Sequence, residues 1–232
     1  MYKQVTPLNH ERHAGLRVQQ GENYTFAKNL HLIALSMAEV VAASAYYPVV
    51  FVETKGNKFR LFAMLGLEPE QNVFIAENGS WDEGYVPALI RRYPFALGQT
   101  DYADQFSVCI DEASSLLSQS AGEPLFSENG SPTAFLEAAQ LFLSQLQGAE
   151  RQSECFYDFV TKHDLLKPLA ATVVMPNGEK KTISGAHTID QAKLEQVDIE
   201  AFGLARDQGF LGPAYAQIVS LGQVNRLAVR TK

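Results

Sequence analysis

Apolar residues occur in short runs bounded by turn residues through the first half of this chain, and at helical spacing after residue 131. Residues 30–35, Leu-His-Leu-Ile-Ala-Leu, read as a short buried strand. Ser36 followed three residues later by Glu39 is a capping-box pattern, in which hydroxyl and carboxylate each bond the other residue's backbone N–H. It predicts a short helix to about Ser44, ended by the approach to Pro48, whose ring disfavours helical geometry in the residue before it. Val49 to Val52 is a β-branched strand, Lys55-Gly56-Asn57-Lys58 is turn chemistry, and Phe59 to Leu65 returns as a second strand, so a hairpin is expected. A further strand is predicted from Asn72 to Ala76, leading into the turn Glu77-Asn78-Gly79-Ser80.

The segment Trp81 to Gly98 has no clear period. Val86 to Tyr93 fits a short helix with Pro87 in its first turn, closed by Pro94. Phe106, Val108 and Ile110 alternate as in a strand with one buried face. Glu-Asn-Gly-Ser recurs at 128–131 without similarity on either side, which makes two turns and not a duplication. Ser131-Pro132 reads as an N-cap and first helical residue. A stripe of Phe135, Ala139, Phe142 and Leu146, flanked by Leu136 and Leu143, then predicts a helix stopping at Gly148. A separate helix from about Glu150 to His163 would bury Phe156, Phe159 and Val160. Beyond Pro168, Ala171 to Met175 and Lys180 to Ser184 flank Pro176-Asn177-Gly178-Glu179 as a second hairpin. Thr188-Ile189-Asp190-Gln191 caps the next helix, and Gly209 and Pro213 divide the remainder into short helices.

These elements make an α+β fold: mainly antiparallel sheet between about 30 and 110 with packed helices, plus a C-terminal β-hairpin and short helices. The natural division is a main region, 1–168, and a C-terminal subdomain, 169–232. No Gly- or Ser-rich linker separates them, so one continuous fold is equally tenable.

Composition narrows the function classes. The 232 residues are 46% hydrophobic and 19% charged, the balance of a globular chain and not a disordered one. Net charge is −7 and there is no Lys/Arg run, which argues against nucleic acid as a partner, because phosphate contacts need clustered cations. Residues 1–30 contain no apolar core of a signal peptide. Residues 32–52 carry a single charge, Glu39, over about the length of a membrane span. An acid inside a span costs about 2.5–3.5 kcal/mol on insertion scales. Pro48 interrupts the run and Ser36, Ser44, Tyr46 and Tyr47 dilute it, so strand, helix and strand are expected there and no membrane span. Cys109 and Cys155 form no C-x-x-C pair and suit a reducing cytoplasm.

Familiar catalytic patterns are missing. His10-Glu11-Arg12-His13 is H-x-x-H, not the H-E-x-x-H that sets two imidazoles and a base on one helical face, so an exposed polar segment is expected there and no metal site. G-x-G-x-x-G, Walker A and G-x-S-x-G are absent, and no cofactor is indicated. His163-Asp164 and His187 with Asp190 offer acid–base pairs. Helix-dipole and capping roles explain the same residues.

One segment stands apart. Residues 81–95 combine the only tryptophan, Trp81, with Arg91 and Arg92 and the rings of Tyr85, Tyr93 and Phe95. Rigid apolar area, cation–π contact and forked hydrogen bonding are the ingredients of a binding hot spot. The competing reading puts the aromatics in the core and pairs the arginines with Asp101, Asp104 or Asp111.

This segment also carries a resemblance. Gly79-Ser80-Trp81 followed by Tyr85 to Phe95 (YVPALIRRYPF) resembles the signature of the SapC family of Gram-negative bacteria. The likeness continues in order through Tyr47 to Phe51, Ala63 to Leu67, Asn72 to Phe74, Gly122 to Phe126, Leu165 to Pro168, Ile189 to Leu194 and Ala214 to Ala216. It implies a bacterial, cytoplasmic protein linked by family name to surface-layer protein secretion and often encoded near flavin-dependent tryptophan-halogenase-like proteins. It is distinct from the peptide-transporter permease of the same name, and it carries no catalytic residues to this chain. The expectation is a non-enzymatic accessory protein that recognises a peptide or protein partner, such as a halogenase-like protein, through Trp81, Tyr85, Arg91, Arg92, Tyr93 and Phe95; homo-oligomer formation is left open. Arg91→Ala with Tyr93→Ala is expected to weaken capture while sparing the fold. The alternative is an enzyme or enzyme subunit in peptide or amino-acid modification, which requires His163, Asp164, His187 or Arg91 to converge in one pocket.

Overall fold

The structure is a computed structural model that describes residues 1–82, 84–99 and 106–231. Its centre is the predicted hairpin, Val49–Thr54 with Lys58–Met64, paired from Val49 opposite Ala63 to Thr54 opposite Lys58. The turn between them uses positive φ at Gly56 and Asn57, residue types that tolerate the left-handed region. Leu32–Ala34 adds to one edge; Ala186–Ile189 and then Leu166–Pro168 add to the other, giving a five-stranded antiparallel sheet. The strand 186–189 meets 49–54 at only two residue pairs. Beyond them the fully buried Gln217 takes over, accepting from Ile189 N–H at 3.0 Å and donating to Val49 C=O at 2.8 Å. A buried amide with both functions satisfied substitutes for the missing ladder bonds.

A second antiparallel sheet runs Val5–Pro7, Phe106–Asp111, Phe95–Gln99. A third joins Leu117–Ser118, Arg17–Val18 and Glu123–Pro124, and the hairpin Ala171–Val174 with Lys180–Ile183 stands as its own pair. The α+β class and the antiparallel pairing agree with the sequence pattern. Residues 32–52 divide as expected into strand Leu32–Ala34, a 3-10 turn Met37–Glu39, helix Val40–Ser44 and the strand from Val49. Among the described residues no helix is long and apolar enough to cross a membrane.

The long helix Ala134–Lys162 holds the two larger cores together. At 1.5 Å per residue its 29 residues span roughly 43 Å. Its first half places Leu136 and Leu143 among Val18, Phe95, Ile110 and Leu125; its second half places Phe156, Phe159 and Val160 against Phe51, Leu61 and Phe210. Two expectations fail here. Gly148 does not stop the helix: it is exposed, with nothing within 4 Å of where a Cβ would stand. Apolar spacing carries through it, and one mid-helix glycine costs only about 1 kcal/mol. The cap is Thr133, whose hydroxyl accepts from Leu136 N–H, and not Ser131. The strand predicted over 72–76 is also absent. Asn72 is buried and its side chain accepts from Phe74 N–H while donating to Ala27 C=O, which turns the backbone. Only the single bridge Ile75–Trp81 remains. Pro213 lies in the first turn of helix Leu211–Ser220 and divides nothing, whereas the stretch 188–191 does cap the helix Gln191–Glu195, through Asp190, with Thr188 still in the strand before it.

Candidate functional site

Two hydrogen-bond chains anchor the aromatic segment. In the first, Trp81 Nε1–H donates to the Tyr47 hydroxyl at 3.0 Å, and that hydroxyl donates to the Tyr85 carbonyl. Tyr47 is fully buried, which pushes its phenol up and keeps the proton on it. The Trp81 ring lies nearly parallel to Phe74, with centroids 6.3 Å apart, and edge-on to Tyr24 at 5.7 Å. In the second chain the Tyr85 hydroxyl donates to Glu39 Oε1 at 2.9 Å, joined there by Ala88 N–H at 2.7 Å. Glu39 Oε2 takes Ser36 N–H at 3.0 Å and the Ser36 hydroxyl at 2.9 Å. The predicted carboxylate-to-cap contact therefore forms, and the same buried carboxylate also ties down the start of the next helix 49 residues away. Burial and then the Glu39 charge push the Tyr85 hydroxyl up to about 12, so it remains a donor at neutral pH. Gly84, at φ +73°, lies directly on the Tyr46 ring; a Cβ there would stand 2.3 Å from a ring carbon.

Held in this way, helix Ala88–Arg91 presents its last residue outward. Arg91 Nε–H donates to Val86 C=O at 3.0 Å and Nη2–H to the Tyr85 hydroxyl at 3.2 Å. Its guanidinium carbon sits 5.5 Å from the Tyr85 ring centroid and 5.1 Å from that of Phe142 on the long helix. Arg92, half-buried, donates to the Tyr2 hydroxyl at 3.1 Å and lies over the Tyr2 ring. The Tyr2 hydroxyl in turn donates to Phe95 C=O. Tyr93 is buried, stacked on Phe26 at 4.2 Å, with its hydroxyl donating to Asp111 at 3.1 Å. After the cis Tyr93–Pro94 bond the chain enters strand Phe95–Gln99, with Phe95 buried beside Phe135.

Asp111 thus does not pair with either arginine, contrary to that expectation; its carboxylate takes Tyr93 and the backbone N–H groups of Lys3 and Gln4 instead. Asp101 and Asp104 lie outside the described residues. Among the described residues, neither guanidinium has a carboxylate within 4.0 Å. Tyr93 is buried and doubly engaged, by the Phe26 ring and by Asp111, so its side chain serves the core as well as the cleft.

A cleft of about 360 Å³ opens between residues 90–95, the loop 18–26 and the first half of the long helix. Its apolar wall includes Phe26, Tyr93, Phe95, Phe135, Phe142 and Leu143; Arg91, Arg92, Gln19, Gln20 and Asn23 supply the polar groups. None of the described residues lining it is acidic, in a chain with 26 acids and 19 bases. Of the six residues singled out by sequence, Arg91, Arg92, Tyr93 and Phe95 line this cleft, while Trp81 and Tyr85 sit behind it and hold the segment. Tyr2, Phe26 and Phe142 also belong to the site, and no local pattern flags them, because each is far in sequence from the residue it meets: Arg92, Tyr93 and Arg91 respectively.

The side chains named for acid–base work do not converge with Arg91. His163 lines a different cleft, of about 670 Å³, with Cys155, Asp158 and Lys162. Asp164 pairs with Lys193 at 2.5 Å, and the His187 ring packs edge-on to Phe59. His10 and His13 turn to different neighbours, Phe126 and Glu112, and His13 is buried where an exposed position was expected, because the Asn9 carbonyl and Glu112 satisfy its two ring nitrogens. Cys109 and Cys155 are free thiols.

Compared with curated proteins and with solved structures, the chain matches none. The SapC family model matches residues 8–227, a span that contains both hydrogen-bond chains and every residue of the cleft named above, so this chain belongs to the SapC family.

Proposed function

We propose that this chain is a non-enzymatic accessory protein that captures a peptide or protein partner at the cleft beside Arg91. One observation carries the reading. Arg91 is clamped by Val86 C=O and the Tyr85 hydroxyl between two rings, beside an aromatic-walled cleft that no described acid lines. A guanidinium carries five N–H donors and matches a carboxylate bidentately, and among the described residues only two donors of Arg91 are used within the chain. An ordered cation next to buried aromatic area is the chemistry of an interface anchor. In this reading the partner belongs to surface-protein secretion or peptide modification, with a flavin-dependent halogenase-like protein among the candidates. The setting is the bacterial cytoplasm, which the two free thiols suit.

The test is affinity capture from native lysate at moderate salt, with mass spectrometry of what is retained. Ala138→Trp fills the cleft from the exposed side of the long helix, and Arg91→Ala removes the cation. Both should lose the partner that the wild type holds while still unfolding in one cooperative transition well above the assay temperature. Equal retention by all three proteins would rule out the cleft as the capture site.

A further inference from the structure

Building on the binding reading above, we infer that the cleft receives the free C-terminal end of a peptide whose last residue is aromatic, its carboxylate on Arg91 and its ring in the apolar wall. Three observations meet in this assignment. The first is charge: in a protein of net charge −7, the described lining contains two arginines and no acid. An anionic ligand is drawn to such a site and a cationic one is rejected. The second is the state of Arg91. A guanidinium carries five N–H donors. Among the described residues two are occupied, by Val86 and Tyr85, and the other three belong to a plane already fixed by flanking rings at 5.1 and 5.5 Å. A planar fork with little rotamer freedom left to lose matches the two oxygens of a carboxylate.

The third observation separates a chain end from an internal acidic residue. The Arg91 guanidinium carbon lies 5.1 Å from the centre of the Phe142 ring, and Phe142 is itself part of the cleft wall. A carboxylate on Arg91 and a ring against Phe142 must therefore come from groups only a few ångströms apart. In a terminal residue both hang from one Cα. In mid-chain an acid and an adjacent aromatic residue point to opposite sides of an extended backbone, and residues two apart share a face but start about 6–7 Å from one another. Size agrees: about 360 Å³ is at the small end of the roughly 300–1,000 Å³ range of ligand sites, room for a terminal residue and not for a helix about 10–12 Å across. Gln19 and Gln20, exposed in the lining, offer amide donors and acceptors for the backbone that leads in.

The experiment is fluorescence anisotropy with an N-terminally labelled pentapeptide, Gly-Ser-Gly-Ser-Phe, as the free acid. Its C-terminal amide and an alanine-ended analogue serve as comparisons. The free acid should bind saturably, and each comparison about tenfold more weakly, the size expected for losing a charge-assisted bond or a buried ring. Arg91→Ala should lose the preference for acid over amide while remaining folded at the assay temperature, and Ala138→Trp should abolish binding. Equal binding of acid and amide, or absence of saturable binding, would each overturn the assignment to a chain end. A lysate partner lost by Ala138→Trp while no peptide binds would sink this inference alone. Partner retention untouched by Ala138→Trp would sink the broader capture reading.

Discussion

Glu39 is the most consequential single side chain outside the cleft. It is 7% exposed and accepts four hydrogen bonds, two from backbone N–H groups (Ser36 and Ala88) and two from hydroxyls (Ser36 and Tyr85). No cation contacts it among the described residues, so these donors alone offset the desolvation of its charge. Glu39→Gln keeps the shape but turns one oxygen into an NH₂ group. Whichever way the amide is placed, it faces one backbone N–H that it cannot accept from. A buried donor left unsatisfied costs about 1–3 kcal/mol. The surviving bonds also lose their charge assistance, which roughly halves them. We expect Glu39→Gln to lose about 2–3 kcal/mol, and Glu39→Ala, which orphans both backbone donors, about 4 kcal/mol. Against a total stability of about 5–15 kcal/mol for a typical domain, either is a large fraction. Urea unfolding at neutral pH, followed through Trp81 as the sole tryptophan, measures this directly; the slope should stay constant while the midpoint falls. A Gln variant within about 0.5 kcal/mol of wild type, the range of a neutral surface substitution, would refute the claim that this carboxylate holds residues 85–88 in place.

The remaining predictions test other parts of the structure. Gly148→Ala should stabilise by about 0.8–1 kcal/mol, because the position is exposed mid-helix with open space for a Cβ; a neutral or negative change in the urea midpoint would mean the helix is broken there. Burial opposes the charge of Asp111, but backbone N–H groups of Gln4, Lys3 and Ala113 and the Tyr93 hydroxyl outweigh it and hold the carboxyl below its ordinary 3.8. Its contribution is therefore complete above that value and lost as pH falls through the lower folded value, detaching residues 3–7. Asp111→Asn should flatten this acid limb, and an unchanged acid transition would contradict the assignment. Tyr85 works with the opposite sign: its hydroxyl is raised from 10.0 to about 12, so its contribution is complete below 10.0 and lost as pH rises toward 12. Ultraviolet difference titration of wild type against Tyr85→Phe should show one phenol ionising late; a Tyr85 signal near 10.0 would show that the hydroxyl is neither buried nor held on Glu39.

Much of the local architecture was legible because it depends on neighbours in sequence. The hairpin over 49–64 follows from the β-branched run Val49–Val52, the turn residues Lys55-Gly56-Asn57-Lys58 and the apolar return from Phe59, and the cap at Asp190 from a carboxylate placed to accept a nearby backbone N–H. The glycine at 148 misled because propensity is a weak term. About 1 kcal/mol of helix cost is small beside the burial of Leu143 on one side and Phe156 on the other. The segment 72–76 misled for the reverse reason, a single buried Asn side chain outcompeting a strand pattern at short range.

The cleft is a different case. Sequence density picked out Arg91, Arg92, Tyr93 and Phe95, but could not separate wall from anchor, since aromatic and guanidinium groups have the same composition in either role. Pairing across 93 residues put Tyr2 on Phe95, and packing of the long helix put Phe142 under Arg91. The family was carried by ordered motifs along the chain, and the α+β class by local periodicity. What tertiary structure alone decided is which side chains face one another. That outcome depends on contacts between residues distant in sequence, whose free energy is set by mutual burial and hydrogen bonding and leaves no local period to read.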